Sequence, residues 1–384
     1  MHMAECNEFI SPVKINSGNK ALEHIPCELD ALDARKPLVI AERGAAAKYR
    51  IDVLIEAFKD SGITIGIFDE VPPLPSLLLI KELFGIYRDR GFDAIIAMGG
   101  GSAADTAKVL NIAVSGRPED IDRCVGEDLI EKHLKPLIIV PGLSGTGYEM
   151  SRYAFFDSRS YASPFLVPHL AVIDPRTAIP EDVLTTSAST LLGLTHAVEA
   201  YISYGKNLLA RAYAYAAIQL TIENLVKVIA NPEDSKGCVA LANAQALAGC
   251  TFSNVKAGIA HGLGNAVAKE MGLPPGVCMG VLLPYILEKR MSECSHDLGE
   301  LFLPLAGFDT YAETANELRP KRAVDIIHDL IGDLARATGG SVPQSLKDAQ
   351  VPRQVLPEIA RRADYVGLDM EGAVSVLEGA WRGR

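Results

Sequence analysis

The chain has 384 residues, of which 48% are apolar and 22% charged, as in globular proteins that bury a large core. Its formal net charge of −11 argues against nucleic acid or an anionic membrane as a partner. No apolar run reaches the roughly 18–20 residues that a membrane-spanning helix needs. The seven cysteines show no Cys-x-x-Cys spacing, a pattern of reduced thiols that favours a cytoplasmic protein.

Short apolar runs in the first 180 residues predict strands that alternate with helices. The strands are predicted at Pro37–Ala41, Ile63–Phe68, Asp93–Met98, Leu137–Val140 and Leu170–Ile173. The helices are predicted between them, at Gly44–Ser61, Leu74–Arg90 and Ser102–Val114. Such alternation with short links predicts the α/β class, with a doubly wound and mostly parallel sheet.

A glycine-rich loop joins one of these strands to its helix, in the stretch DAIIAMGGGSAADTAK at Asp93–Lys108. Glycine lets a backbone adopt positive φ and approach a ligand closely, and the following helix N-terminus suits a phosphate. The loop is neither a Walker loop nor the usual Gly-x-Gly-x-x-Gly, and a plain structural turn is the alternative. We predict that residues 1–180 form a Rossmann-like domain that binds a dinucleotide.

After Asp174-Pro175 the strand pattern gives way to helical spacing. Helices are predicted at Thr186–Ser203, Leu208–Ala230, Val239–Ser253 and Leu263–Met271, with proline-rich joints at Leu273–Gly276 and Leu283–Pro284. Residues 181–384 are therefore predicted to form an all-helical domain. A ligand is expected in the cleft between the two domains.

Three further segments make the pattern specific: PGLSGTGYEMS at 141–151, GLTHAVEAY at 193–201 and AHGLGNAVAKEMGLPPGVCMGVLLP at 260–284. Together with the glycine-rich stretch and the PLP of residues 73–75, they resemble the iron-containing (group III) alcohol dehydrogenase family. The resemblance implies that family's architecture, which dehydroquinate synthase shares. It also implies an NAD(P)-dependent oxidoreductase that interconverts a small alcohol with an aldehyde or ketone by hydride transfer.

The resemblance implies a set of cofactor-binding residues. They are Glu42, Gly99, Gly100, Gly101, Ser102, Asp105, Gly145 and Thr146. Glu42 ends the first predicted strand, where the family's acidic residue contacts the adenosine ribose. A carboxylate there accepts a hydrogen bond from a 2′-hydroxyl and repels a 2′-phosphate, so it favours NAD over NADP. Arg43 leaves NADP as an alternative, and a solvated surface charge is the other interpretation of Glu42.

The family's divalent metal site is incomplete in this sequence. The resemblance implies one aspartate and three histidines as ligands, of which His196 and His261 are present. Leu192 and Pro275 occupy the other two positions, and neither side chain can donate an electron pair. Because two imidazoles alone rarely hold a divalent ion, we expect no tightly bound iron or zinc.

Three functional hypotheses remain open from the sequence. In the first, hydrogen-bond donors replace the metal at the substrate oxygen, and the candidates are His196, His261, Tyr148 and Asn265. One of the histidines would also exchange a proton near neutral pH. In the second, Glu199, Glu270 or Cys278 completes a looser metal site. In the third, the protein binds a dinucleotide without catalysis. The family resemblance further implies a homodimer, and no substrate is identified.

Overall fold

The protein divides into two units in a computed structural model that describes residues 8–143, 145, 147–203, 207–256, 258–365 and 367–384. The first unit is Ile10–Glu181. The second is Asp182–Arg384, with Glu8 and Phe9 grouped with it.

The first unit is built on a parallel sheet of six strands. Its strands, with those of a smaller sheet, are β1 (Lys14–Ser17), β2 (Pro37–Glu42), β3 (Gly66–Val71), β4 (Ala94–Gly99), β5 (Gly126–Glu127), β6 (Leu137–Pro141), β7 (Tyr153–Phe156), β8 (Arg159–Ala162) and β9 (Leu170–Ile173). Its helices are α1 (Ile25–Ala31), α2 (Ala45–Phe58), α3 (Leu77–Arg90), α4 (Gly101–Ser115) and α5 (Asp120–Arg123). The large sheet has the order β1-β9-β6-β4-β2-β3, and every neighbouring pair in it is parallel.

Both faces of the large sheet are covered by helices. In β2, Leu38 and Ile40 face the apolar cluster that includes residues of α3 and α4. Val39 and Ala41 face the opposite cluster, with residues of α1 and α2. Because successive side chains of a strand point to opposite faces, these near-continuous apolar runs are what a sheet buried on both sides requires. The predicted doubly wound α/β class is confirmed.

A small second sheet, of order β5-β8-β7, has no counterpart in the prediction. The turn between β7 and β8 is formed by Asp157 and Ser158, which have φ values of +51° and +61°. Two-residue hairpins of this kind usually carry glycine, as in Asp-Gly or Asn-Gly. The sequence therefore lacked the common hairpin signal.

The second unit contains helices and no strand among its described residues. Its helices are α6 (Val183–Tyr201), α7 (Leu208–Ala230), α8 (Ser235–Phe252), α9 (Ile259–Met271), α10 (Pro275–Lys289), α11 (Ser295–Ala306), α12 (Phe308–Glu313), α13 (Arg319–Ala337), α14 (Leu356–Arg362) and α15 (Met370–Arg382). None of the described helices is long and apolar enough to cross a membrane.

Several boundaries predicted from the sequence are wrong. Helices α8 and α9 each begin four residues before the predicted starts at Val239 and Leu263. The pair Leu283–Pro284 lies inside α10 rather than at a joint. Proline costs an interior helix about 3 kcal/mol, and α10 tolerates it because most of its side chains are buried. The strand predicted at Ile63–Phe68 begins only at Gly66, which is the first residue in register with β2.

Candidate active site

The glycine-rich loop joins β4 to α4. Gly99 ends the strand with a φ of +127°, a value that residues with a side chain rarely adopt, and Gly101 opens the helix. A Cβ on Gly99 would lie 3.0 Å from the carboxylate of Glu42. The N–H groups of the first helical turn, starting with Gly101 and Ser102, have no partner in their own helix. The loop therefore has the form of an anion site.

Glu42 ends β2, the strand beside β4, and its side chain lies at this loop. Its Oε1 atom accepts hydrogen bonds from the backbone N–H of Gly100 at 3.1 Å and from the hydroxyl of Ser102 at 2.7 Å. Arg43, next in the chain, instead pairs with the carboxylate of Glu70 at 2.8 Å. Glu42 is half-buried and fixed, and its Oε2 atom accepts no hydrogen bond in the described part of the chain.

A second loop follows β6. The N–H of Gly145 donates to the carbonyl of Gly142 at 3.0 Å, and a Cβ on Gly145 would lie 3.0 Å from the side chain of Pro141. Tyr148 begins a single 3-10 turn directly afterwards. Thr146, predicted to bind the cofactor with Gly145, lies outside the described residues.

Sequence reasoning missed a buried cation behind these loops. Lys108, on α4, is fully buried, and its ammonium group donates to the carbonyls of Tyr148, Ser151 and Tyr153 at 2.7–2.8 Å. A cation with three carbonyl partners ties α4 to the segment that carries Tyr148. One feature of the sequence could have revealed this buried cation: Lys108 stands among mostly apolar residues in the predicted helix.

Two buried carboxyl groups lie near Lys108. Burial raises the pKa of Asp105 to about 7 and that of Glu149 to about 7, and the nearby ammonium group opposes both shifts. Burial lowers the pKa of Lys108 to about 8. Asp105, predicted to contact the cofactor, is 6% exposed and lies in this buried cluster.

His196 and His261 lie side by side in the second unit. His196 belongs to α6 and His261 to α9, and Nε2 of His196 is 3.1 Å from Nδ1 of His261. Phe252, the last residue of α8, stacks on the ring of His196 at 4.1 Å between centroids. Burial, assisted by the neighbouring His261, lowers the pKa of His196 well below its usual range, and burial lowers the pKa of His261 to about 4. Both rings are therefore neutral at pH 7, which does not fit the expected proton exchange near neutral pH.

Glu199, about one turn after His196, holds the start of α9. Its carboxylate accepts hydrogen bonds from the N–H of Ala260 at 2.6 Å and from that of His261 at 3.4 Å. A Cβ on Gly258 would lie 2.3 Å from the carboxyl carbon, so glycine makes room for this contact. Burial raises the pKa of Glu199 to about 7, and the two N–H groups oppose that shift. Glu199 fixes His261 relative to the helix of His196.

The other two predicted catalytic residues are placed differently. Tyr148 belongs to the first unit, is half-buried, and has its ring 5.9 Å from that of Phe155. Burial raises the pKa of the Tyr148 hydroxyl, which stays protonated. Asn265, one turn after His261 on α9, is exposed. Within the second unit the structure thus brings together the two histidines.

Both parts of the chain match sequence models of one family. Residues 12–175 match "Iron-containing alcohol dehydrogenase", and residues 186–367 match "Fe-containing alcohol dehydrogenase family, C-terminal". The chain belongs to the iron-containing alcohol dehydrogenase family. The resemblance seen in the sequence is confirmed, and the protein is an oxidoreductase of alcohols and aldehydes.

Individual relatives agree with this assignment. Long-chain-alcohol dehydrogenase 1 of Geobacillus thermodenitrificans (strain NG80-2) is 26% identical over 361 residues, which cover 92% of this chain and 89% of that protein. NAD-dependent methanol dehydrogenase of Bacillus methanolicus is 28% identical over 288 residues, which cover 73% of this chain and 74% of that protein. The crystal structure of a 1,3-propanediol oxidoreductase covers 98% of this chain and 100% of its own, with a TM-score of 0.88 at 23% identity. The predicted class, an NAD(P)-dependent alcohol dehydrogenase or aldehyde reductase, is confirmed.

Leu192 and Pro275, where the resemblance implies two of the metal ligands, belong to two helices of this alcohol dehydrogenase that pack together. Leu192 lies on α6, and Pro275 is the first residue of α10. A Cβ on Gly276 would lie 3.0 Å from the Cβ of Leu192, so an apolar side chain and a helix start meet there. The described residues contain no group of three or more histidine, cysteine, aspartate or glutamate side chains able to hold a metal ion together.

Of the three residues considered as replacement ligands, two are engaged with other groups and the third is buried. Glu199 accepts the N–H groups at the start of α9. Glu270 pairs with Arg362 at 3.2 Å. Cys278 is 1% exposed, and burial raises the pKa of its thiol to about 12. The donors present do not fit the family's metal.

Proposed function

We propose that this enzyme interconverts a small alcohol with an aldehyde or ketone using NAD, without a tightly bound metal ion. The observation that carries the proposal is the direct hydrogen bond between His196 and His261. In the family pattern both are metal ligands, whereas here the other two ligand positions hold Leu192 and Pro275. No step is therefore assigned to a metal.

The glycine-rich loop and Glu42 support NAD as the cofactor. The N–H groups at the start of α4 would hold the pyrophosphate. Oε2 of Glu42, which accepts no hydrogen bond from the described residues, would accept a ribose hydroxyl. The charge of Glu42 disfavours a 2′-phosphate, and Arg43, which could offset it, is paired with Glu70. When bound, the nicotinamide supplies or accepts the hydride.

Hydrogen-bond donors would act at the substrate oxygen. As hydride reaches the carbonyl carbon, negative charge develops on the oxygen, and a fixed donor stabilises it without reorganisation. The N–H of a neutral imidazole is such a donor, and the low pKa values keep both histidines neutral at pH 7. The protonated hydroxyl of Tyr148 and the amide of Asn265 are the remaining candidates for this role.

The proposal is tested on protein purified without chelator, by metal analysis and by NADH-dependent reduction of a panel of aldehydes before and after EDTA. We expect substoichiometric metal and a rate that EDTA leaves unchanged. His196→Ala and His261→Ala should each lose at least about 100-fold in kcat/KM. His296→Ala, an exposed histidine of the same unit, serves as the control and should keep full activity.

Two results would replace the proposal. Stoichiometric iron or zinc, with activity lost on chelation and restored by the metal, indicates a metal-dependent alcohol dehydrogenase with substituted ligands. Tight NADH binding without turnover of any alcohol or aldehyde indicates a non-catalytic dinucleotide-binding protein.

A further inference from the structure

The contact between His196 and His261 allows two arrangements of one proton. Nε2 of His196 and Nδ1 of His261 are 3.1 Å apart, so one of these atoms carries the hydrogen and the other accepts it. In a neutral imidazole the second nitrogen has the opposite role. The direction of this single hydrogen bond therefore fixes the protonation of both rings.

The surroundings of His196 favour one direction. His196 is 4% exposed, and its Nδ1 atom is buried without a hydrogen-bond partner in the described part of the chain. If His261 were the donor, His196 would carry its own proton on Nδ1, as a buried N–H with no acceptor among the described residues. Orphaned N–H groups of this kind are rare, because a buried donor without a partner loses its hydrogen bonds to water and gains none in return. If His196 is the donor, Nδ1 holds only a lone pair.

The other nitrogen of His261, Nε2, is accessible. His261 is half-buried, and its Nε2 atom makes no hydrogen bond with the described residues, nor is it among the buried unpartnered atoms. With Nδ1 of His261 accepting from His196, the hydrogen of the His261 ring is on Nε2. The pair then presents an N–H on the edge of the His261 ring away from His196. Phe252 lies 5.3 Å from that ring between centroids, and Glu199 holds the backbone N–H of His261.

We propose that Nε2–H of His261 is the hydrogen-bond donor to the substrate oxygen, and that His196 is a positioning residue that fixes this tautomer. The proposal rests on the proposed function and names the group that replaces the metal. His261 donates a hydrogen bond and keeps its proton. In aldehyde reduction the donated C–H bond of NADH breaks and its hydride forms the new C–H bond of the alcohol, so that NADH is oxidised to NAD and the aldehyde is reduced. The carbonyl π electrons move to oxygen, and the alkoxide takes its proton from water, which leaves hydroxide.

Nitrogen NMR of protein labelled with ¹⁵N-histidine reads the tautomer without any substrate. We expect His261 to be protonated at Nε2 with an unprotonated Nδ1, and the His261→Ala variant assigns its signals. In His196→Leu the Nδ1 partner is gone, so His261 should become a mixture of tautomers. His196→Gln, whose amide nitrogen mimics Nε2, should restore the single form. A wild-type His261 protonated at Nδ1, or at both nitrogens, overturns the proposal.

Two substitutions of His261 distinguish the catalytic roles of its two ring nitrogens. The amide of glutamine reaches the place of Nε2, and that of asparagine the place of Nδ1. We expect His261→Gln to keep kcat/KM for aldehydes within about tenfold of the wild type, and His261→Asn to lose about 100-fold or more. Equal losses in two variants with wild-type circular dichroism contradict the donor assignment. If the NMR result is as expected but the wild type reduces no aldehyde, the tautomer stands and the proposed function fails.

Discussion

At the residue scale, a carboxylate at the end of one strand holds the glycine-rich loop at the end of its neighbour. Glu42 and Gly99 end parallel strands that pair directly, so their side chain and backbone meet. A charge-assisted hydrogen bond from Gly100 to Glu42 is stronger than a neutral one. The strand, the loop and the acidic residue could be predicted from the sequence. The hydrogen bonds between them could not, because they join residues 58 and 60 positions apart.

The selectivity for NAD should depend on the charge of Glu42 more than on its hydrogen bonds. Glu42→Gln keeps an oxygen that accepts from Gly100 and Ser102, but removes the charge that repels a 2′-phosphate. We expect KM for NADPH to fall about tenfold, equivalent to about 1.4 kcal/mol, while KM for NADH changes less than about threefold. Steady-state assays with both cofactors measure this, with Glu56→Gln, an exposed glutamate of α2, as the control. An unchanged preference would show that Glu42 does not face the ribose.

At the element scale, the start of α9 is capped by a side chain from another helix. The N-cap residue of α9 is Gly258, which has no side chain to accept the first N–H groups. Glu199 of α6 accepts them instead, and its burial makes the contact costly to lose. The sequence offered Glu199 as a metal ligand, since it lies three residues after His196. Only the packing of α6 on α9 shows that its oxygens are engaged.

Loss of this cap should lower stability. Glu199→Ala leaves the N–H groups of Ala260 and His261 buried without an acceptor, and we expect the free energy of unfolding to fall by about 2 kcal/mol. Glu199→Gln keeps one acceptor oxygen and should lose roughly half as much. Urea unfolding followed by circular dichroism measures both. Glu270→Gln, at the exposed end of α9, should change stability by less than about 0.5 kcal/mol. Equal stability of Glu199→Ala and wild type would rule out the capping role.

At the scale of the whole molecule, one ion-pair cluster joins segments near the two ends of the first unit's chain. Asp174, just after β9, is fully buried and accepts from the N–H of Leu22, 152 residues earlier in the chain. Arg176 joins it and forms a bidentate contact with Glu23. Burial acts to raise the pKa of Asp174, but the hydrogen bonds of Arg176 and Leu22 outweigh it and the pKa is lowered. Contacts of this separation make the unit cooperative.

The Asp174 cluster should make stability depend on pH on the acid side. Because its pKa is lower in the folded state, the stabilisation is present above the unfolded value of about 4 and is lost as pH falls through the folded value. At pH 7 we expect Asp174→Asn to lower the free energy of unfolding by about 2 kcal/mol. The difference from wild type should shrink below pH 4. Urea titrations across this range test it, with Asp60→Asn, an exposed aspartate after α2, as the control. A difference that stays constant with pH would contradict the assignment.

The sequence by itself determined the parallel sheet, the glycine-rich loop, the family, and the absence of donor side chains at positions 192 and 275. These follow from residue identity and from periods of two and 3.6, which act over a few neighbouring residues. Tertiary structure decided that Lys108 is buried among carbonyls, that Glu199 caps α9, and that His196 bonds His261. Each of these contacts joins residues at least 40 positions apart in the sequence. Such contacts depend on how helices pack, and local pattern carries no information about that packing.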